Sequence, residues 1–248
     1  IYTNKTRCHK VHRSDLVAYY DFDYVSGSLT SVDSTTGFVG IKDRTPNDFK
    51  MWFEGGEYGA FDGTEYLETP NNALFDFNYD DPFSVSLWVK SSLAGAAAYI
   101  TNRVNGGTYR GWILYKHASD WWEFWILSSY PSDCIAVRST ATDMDDGNSH
   151  HIAVTYPGSD ALAANTGSSA VILYQDGAVE PHGGTDTDAL TAASTESGLP
   201  LVIGGGQGGV QRYTGQIRDV GIWDKVLSLA NVQALAIPNT RVNTAESA

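Results

Sequence analysis

The sequence is short of several things, and each shortage excludes something. It has two cysteines in 248 residues, which rules out a disulfide-dense scaffold, and their separation fits no metal spacing. One bond between Cys8 and Cys134, pinning the N-terminal tail to the body, and two free thiols are both open. The bond would imply an oxidising compartment. No apolar run approaches the roughly 20 residues that cross a bilayer, and no signal-peptide pattern occurs. This argues against membrane insertion. The chain opens at Ile1 rather than Met and reads as a processed or excised piece. Basic residues are scarce: 16 Lys and Arg face 29 Asp and Glu, a net charge of −13. So acidic a surface repels phosphate backbones, which makes nucleic acid a poor partner. Helix signals are scarcest of all. One segment qualifies, Ser228 to Ala236 (SLANVQALA), with Ser228 as N-cap and Pro238 behind it.

Aromatic and strand-like sequence is plentiful. Aromatics make up 12% and hydrophobic residues 42%, so the chain is globular and long enough to bury a core. LVAYYDF, EYLET, FSVSLWVK, GWILYK, WWEFWIL, HHIAVTY, AVILYQDG, LPLVIGG and QIRDVGIW all read as strands. Asp62-Gly63 and Asp176-Gly177 fall between such runs, and Asp-Gly favours the positive φ of tight hairpins. Many short strands with almost no helix predict an all-β antiparallel two-sheet sandwich or jelly roll with one short C-terminal helix. Residues 15–238 read as one such domain, flanked by tails at 1–14 and 239–248. Residues 158–169 and 183–198 are small and polar and read as surface loops. The first tail carries Lys5, Arg7, Lys10, Arg13 and the sequon Asn4-Lys5-Thr6. It reads as solvated, or as an arm reaching another subunit of a homo-oligomer.

The order YGAFDGTEYLET, FSVSLWVK, SHHIAVTYPG, VILYQDGAV, LVIGGG…YTGQIRDVGIWDKVLSLANVQAL resembles the laminin G-like branch of the concanavalin A-like lectin/glucanase superfamily. It covers roughly residues 15–237. The resemblance implies two stacked antiparallel sheets, a structural calcium ion and non-catalytic binding of glycans or proteins. The matching calcium positions are Asp23, Asp33 and Asp219. Two departures stand out. Ser149 replaces a Trp before the His pair. Asn231 replaces the Glu three residues after the helix cap, which predicts the loss of half a capping box.

Catalytic signatures are missing. The superfamily's glycosidases carry Glu-x-Asp-x-x-Glu, with paired carboxylates on one face, and no such string occurs. Glu65 and Glu68 are three apart, and adjacent His150 and His151 point to opposite faces. There is no Gly-x-Ser-x-Gly or His-Glu-x-x-His. DMDDGN at 143–148 breaks the EF-hand pattern and reads as a turn.

The most informative stretch is SDWWEFWILSSY, 119–130, with Trp121, Trp122, Phe124 and Trp125. In a strand, Trp122, Phe124 and Ile126 share one face, and Trp121, Glu123 and Trp125 the other. The first set fits the core slot. The second is surplus, joined on the outer face by Ile113 and Tyr115 and from loops by Tyr109, Tyr130 and Arg103. Surplus aromatics around a carboxylate suit sugar rings. They also suit a protein interface, or burial beneath a loop. The expectation is a calcium-stabilised, non-enzymatic module at the cell exterior, cell surface or virion surface. It binds poly- or oligosaccharide through Trp121, Glu123, Trp125, Tyr115, Tyr109 and Arg103. The alternative is a structural or adhesive subunit contacting other protein subunits.

Overall fold

The computed structural model describes residues 15–18, 61–64, 66–69, 71–158 and 167–237 in full, and the strand backbone of 8–9, 19–20, 38–42, 50–54, 60 and 241–242. The fold is the anticipated two-sheet sandwich. One sheet runs β14 (Ala178–Glu180), β13 (Ile172–Gln175), β12 (Ser149–Pro157), β7 (Pro82–Lys90), β17 (Thr214–Trp223) and β2 (Leu16–Tyr20), with β5 (Ala60–Asp62) also on β17. The other runs β15 (Thr187–Asp188), β11 (Asp133–Arg138), β10 (Trp122–Ser129), β9 (Gly111–Lys116), β8 (Ala97–Thr101), β16 (Val202–Ile203), β6 (Leu67–Glu68), β4 (Lys50–Glu54) and β3 (Phe38–Lys42). Pairing within both sheets is antiparallel. Within the segments read as tails, β1 (Cys8–His9) pairs in parallel with β18 (Arg241–Val242).

Period-two alternation builds the core. On β7, Phe83, Val85, Leu87 and Val89 point between the sheets, and Ile152, Val154 and Tyr156 do so on β12. From the other sheet come Trp112, Leu114, Trp122, Phe124 and Ile126, all fully buried. The opposite side of the seven-stranded sheet has its own apolar cluster under the helix Leu229–Leu235: Leu16, Ala153, Tyr174, Trp223, Leu227, Val232 and Leu235. Trp88 belongs to that side, and its Nε1 donates to the Leu235 carbonyl at 3.2 Å.

Several expectations need correction. The helix cap is complete, because the Asn231 side-chain oxygen accepts from the Ser228 N–H (3.3 Å) while the Ser228 hydroxyl accepts from the Asn231 N–H (3.2 Å). An amide oxygen supplies the same acceptor as a carboxylate. Asp176-Gly177 forms the two-residue hairpin loop between β13 and β14, with φ of 50° and 79°. Asp62-Gly63 does not close a hairpin: β5 pairs with β17 in one sheet and β6 with β16 in the other, so this turn crosses between sheets. Among the described residues Cys134 is a free, buried thiol, and the side chain of Cys8, its possible partner, lies outside them. Burial, helped by Asp133, pushes that thiol up to about 11.

The described parts of the two polar segments carry regular structure. Residues 167–170 form a helical turn, and β15 adds a strand to the edge of the nine-stranded sheet. Thr195 is fully buried, its hydroxyl donating to the Phe77 carbonyl at 2.9 Å. DMDDGN is a turn, closed by the Asn148 N–H donating to Asp146 Oδ1 at 2.7 Å.

Candidate functional site

The outer face of β9, β10 and β11 gathers the surplus aromatics. Register places Glu123 between Tyr115 and Arg138, and Trp125 between Ile113 and Ala136. β15 extends the second row, since Ala136 pairs with Thr187. Trp121 precedes β10 at the end of a tight turn in which the His117 N–H donates to the Trp121 carbonyl at 2.8 Å. That turn lays the His117 ring parallel to the indole at 4.2 Å.

Both indoles converge on one carboxylate. Trp121 Nε1 donates to Glu123 Oε1 at 2.6 Å, and Trp125 Nε1 donates to Oε2 at 2.7 Å. Glu123 is 8% exposed, so these bonds replace the water it gives up. The period-two strand makes this arrangement available, because residues two before and two after Glu123 share its face.

A second knot forms around Trp125. Tyr130 stacks on it at 5.2 Å and 3°, and Tyr115 leans on it at 6.2 Å. Arg103 lies over Tyr109 at 4.9 Å and over Trp125 at 5.7 Å. Tyr109 meets Tyr130 edge-on at 6.2 Å, because the Tyr130 N–H ties back to the Thr108 carbonyl at 3.0 Å. Arg103 is 7% exposed, and burial pushes its guanidinium below its ordinary value. Burial, and then the charge of Glu123, raises the Tyr115 phenol. The structure therefore brings Trp121, Glu123, Trp125, Tyr115, Tyr109 and Arg103 to one face.

That face differs from a bare aromatic platform. Trp121 and Trp125 are both half-buried. The Trp121 ring already carries His117, and the Arg138 guanidinium lies over it at 4.2 Å. Its π surface is committed to these neighbours, and its edge to Glu123. The open feature lies beside Trp125: a trough of about 150 Å³ lined by Glu123, Trp125, Tyr130, Ala136, Arg138 and Thr187, among others. Small Ala136 leaves the floor low. Tyr130 is 45% exposed and forms the outermost ring. Arg138, Thr185 and Thr187 had no sequence signal linking them to the tryptophans, apart from the alternation of CIAVR.

The two adjacent histidines are engaged within the fold. His151 is fully buried with Nε2 2.8 Å from the Ser86 hydroxyl, and its burial leaves no path for a substrate. His150 reaches Asp176 (2.9 Å) and Asp146 (3.3 Å) instead. Of the calcium positions, Asp23 and Asp33 lie outside the described residues. Asp219 sits in an irregularity of β17 with φ of 51°, next to the β17–β2 pairing of Val220 with Tyr20. Among the described residues no cluster of three or more His, Cys, Asp or Glu is placed to hold a metal.

Comparison with known proteins agrees with this architecture. The family model of the concanavalin A-like lectin/glucanases superfamily matches residues 61–233, and the chain belongs to that superfamily, in its laminin G-like branch. No curated protein sequence matches the chain. Among solved structures, the receptor binding domain of botulinum neurotoxin C/D mosaic serotype superposes with TM-score 0.59 at 12% identity, covering 91% of this chain and 51% of that one. The binding domain of Paraclostridial Mosquitocidal Protein 1 gives 0.55 at 14%, with 90% and 52% covered. Trypanosoma rangeli sialidase gives 0.58 at 12%, with 95% and 35% covered. The chain thus spans about half the length of the toxin domains and about a third of the sialidase. At these identities the likeness is one of fold. Among the described residues no helix is long and apolar enough to cross a membrane.

Proposed function

We propose that this chain is a non-catalytic glycan-binding module that works outside the cytoplasm. Its ligand rests on the outer face of the nine-stranded sheet. The observation that carries this reading is the trough beside Trp125. Its lining combines aromatic surface from Trp125 and Tyr130 with polar groups from Glu123, Arg138 and Thr187. A sugar ring needs both, an apolar face for its C–H bonds and donors and acceptors for its hydroxyls. The volume is below the roughly 300 Å³ of a drug-sized pocket, which suits one ring of a glycan rather than a whole oligosaccharide.

Recognition by other protein subunits is the second reading. Tyr, Trp and Arg are also what protein interfaces concentrate, and this face has all three. Calcium belongs to the proposal as a structural ion near Asp219, with Asp23 and Asp33 as its other ligands. It would join the first strand and its loop to β17.

A glycan array tests the reading, run on the wild type and on Trp125→Ala with Tyr130→Ala. Binding that the double variant loses supports it. A blank array with folded protein, and self-association that the same variant abolishes, transfers the face to protein contacts.

A further inference from the structure

Arg138 stands directly across from Glu123 in the β10–β11 register. Opposite charges in that position ordinarily pair. Here they do not. Both Glu123 oxygens are taken by the two indole N–H groups. The ion pairs formed among the described residues include neither Arg138 nor Arg103. The nearby Asp186 is held by His182 at 2.8 Å. In a chain of net charge −13, this face sets two arginines against the one clamped carboxylate, a local excess of positive charge.

The Arg138 guanidinium is also fixed in advance. Its Nε donates to the Gly183 carbonyl, and its plane lies over Trp121 at 4.2 Å. The loop presses close: Gly184 has φ of +74°, and a Cβ there would collide with Nη2. Among the described residues the terminal nitrogens have no hydrogen-bond acceptor, and Arg138 lines the trough. Such a fork suits a planar carboxylate through two parallel bonds.

We infer that the trough takes an acidic sugar, with Arg138 binding its carboxylate while the ring lies against Trp125 and Tyr130. The inference rests on the glycan-binding reading and names its ligand class. The global charge supports a single acidic residue over a polyanion. At range the chain repels a string of negative charges, whereas one carboxylate within reach of the fork feels mainly Arg138. Thr185 and Thr187, also in the lining, supply hydroxyls for the ring's own. The indole clamp gains a second role here, because it occupies both Glu123 oxygens and leaves the terminal nitrogens of Arg138 without a direct bond to that carboxylate.

The test is titration calorimetry at low salt. The probes are the methyl glycosides of glucuronic acid and of N-acetylneuraminic acid, their methyl esters, and methyl glucoside. At least one acid should bind tenfold or more tighter than its own ester. Arg138→Gln should remove that preference, and Arg138→Lys should restore only part of it. An acid and ester bound equally by wild type overturns the inference but leaves the glycan reading standing. No binding of any of the five removes both. Preference retained in Arg138→Gln excludes Arg138 as the anchor. The acid–ester comparison needs only wild type, so it decides the ligand class even where a variant fails to fold.

Discussion

Trp125 Nε1 lies 2.7 Å from Oε2 of Glu123, two positions before it on the same strand. Trp121, two positions on the other side, holds the remaining oxygen at 2.6 Å. A nearly buried carboxylate is thus satisfied by its own strand neighbours. The clamp locks two indoles and one acid into a single unit, and the trough is built on it.

Replacing Glu123 by Gln tests the clamp. An amide offers one oxygen and one NH2, so one indole N–H meets a donor instead of an acceptor. The expected cost is about 1–3 kcal/mol, typical of a buried polar group left unpaired. Urea unfolding followed by tryptophan fluorescence reads it. An unchanged midpoint would mean the clamp adds nothing to stability.

The two faces of β10 should respond differently. Trp122 is fully buried and donates to Gln175 at 3.0 Å. Trp122→Ala should cost about 3–5 kcal/mol. Trp125→Ala should cost clearly less and should weaken ligand binding. Equal losses from both, by chemical denaturation, would place Trp125 in the core.

His151 predicts a pH dependence. Burial lowers its folded value to about 4, against an ordinary 6.5. Between those values the unfolded chain binds the proton and the folded chain does not. Its contribution is therefore fully present above pH 6.5 and is lost as pH falls through 4, by about 3 kcal/mol in all. His150 runs the other way. Partial burial lowers it, but Asp176 first, then Asp143 and Asp146, outweigh that and raise it overall. Its contribution is present below 6.5 and fades as pH rises through the raised folded value. Unfolding at a series of pH values should show a steeper acid slope in wild type than in His151→Gln. Parallel slopes would remove His151 from the account.

Calcium should raise the wild-type Tm, and Asp219→Asn should cancel the rise. Asn is the substitution to use because it tolerates the positive φ at this position. A scan with and without chelator decides it. No shift in wild type would end the calcium assignment.

The sequence by itself determined the sandwich, the helix position and the two faces of 119–130. Those depend on local signals: alternation along a strand, and a Ser cap before the helix with a Pro behind it. The same periodicity foretold that Ile113 and Tyr115 would share a face with Trp125, since a hairpin register follows from pattern and turn. Short uniformly buried runs such as Ala97–Thr101 hid their strand because they do not alternate. Asn231 was misjudged by residue type, although its amide oxygen accepts as a carboxylate would. The rest needed the tertiary structure. Asp62-Gly63 gives no sign that its flanking strands join different sheets. Nor does anything local tell that Arg138 will lie on Trp121, that β15 will wall the trough, or that Glu123 will bond to indoles rather than to the arginine opposite. Those outcomes depend on groups brought together from distant parts of the chain, where packing and competition for hydrogen-bond partners decide, and periodicity carries no information about either.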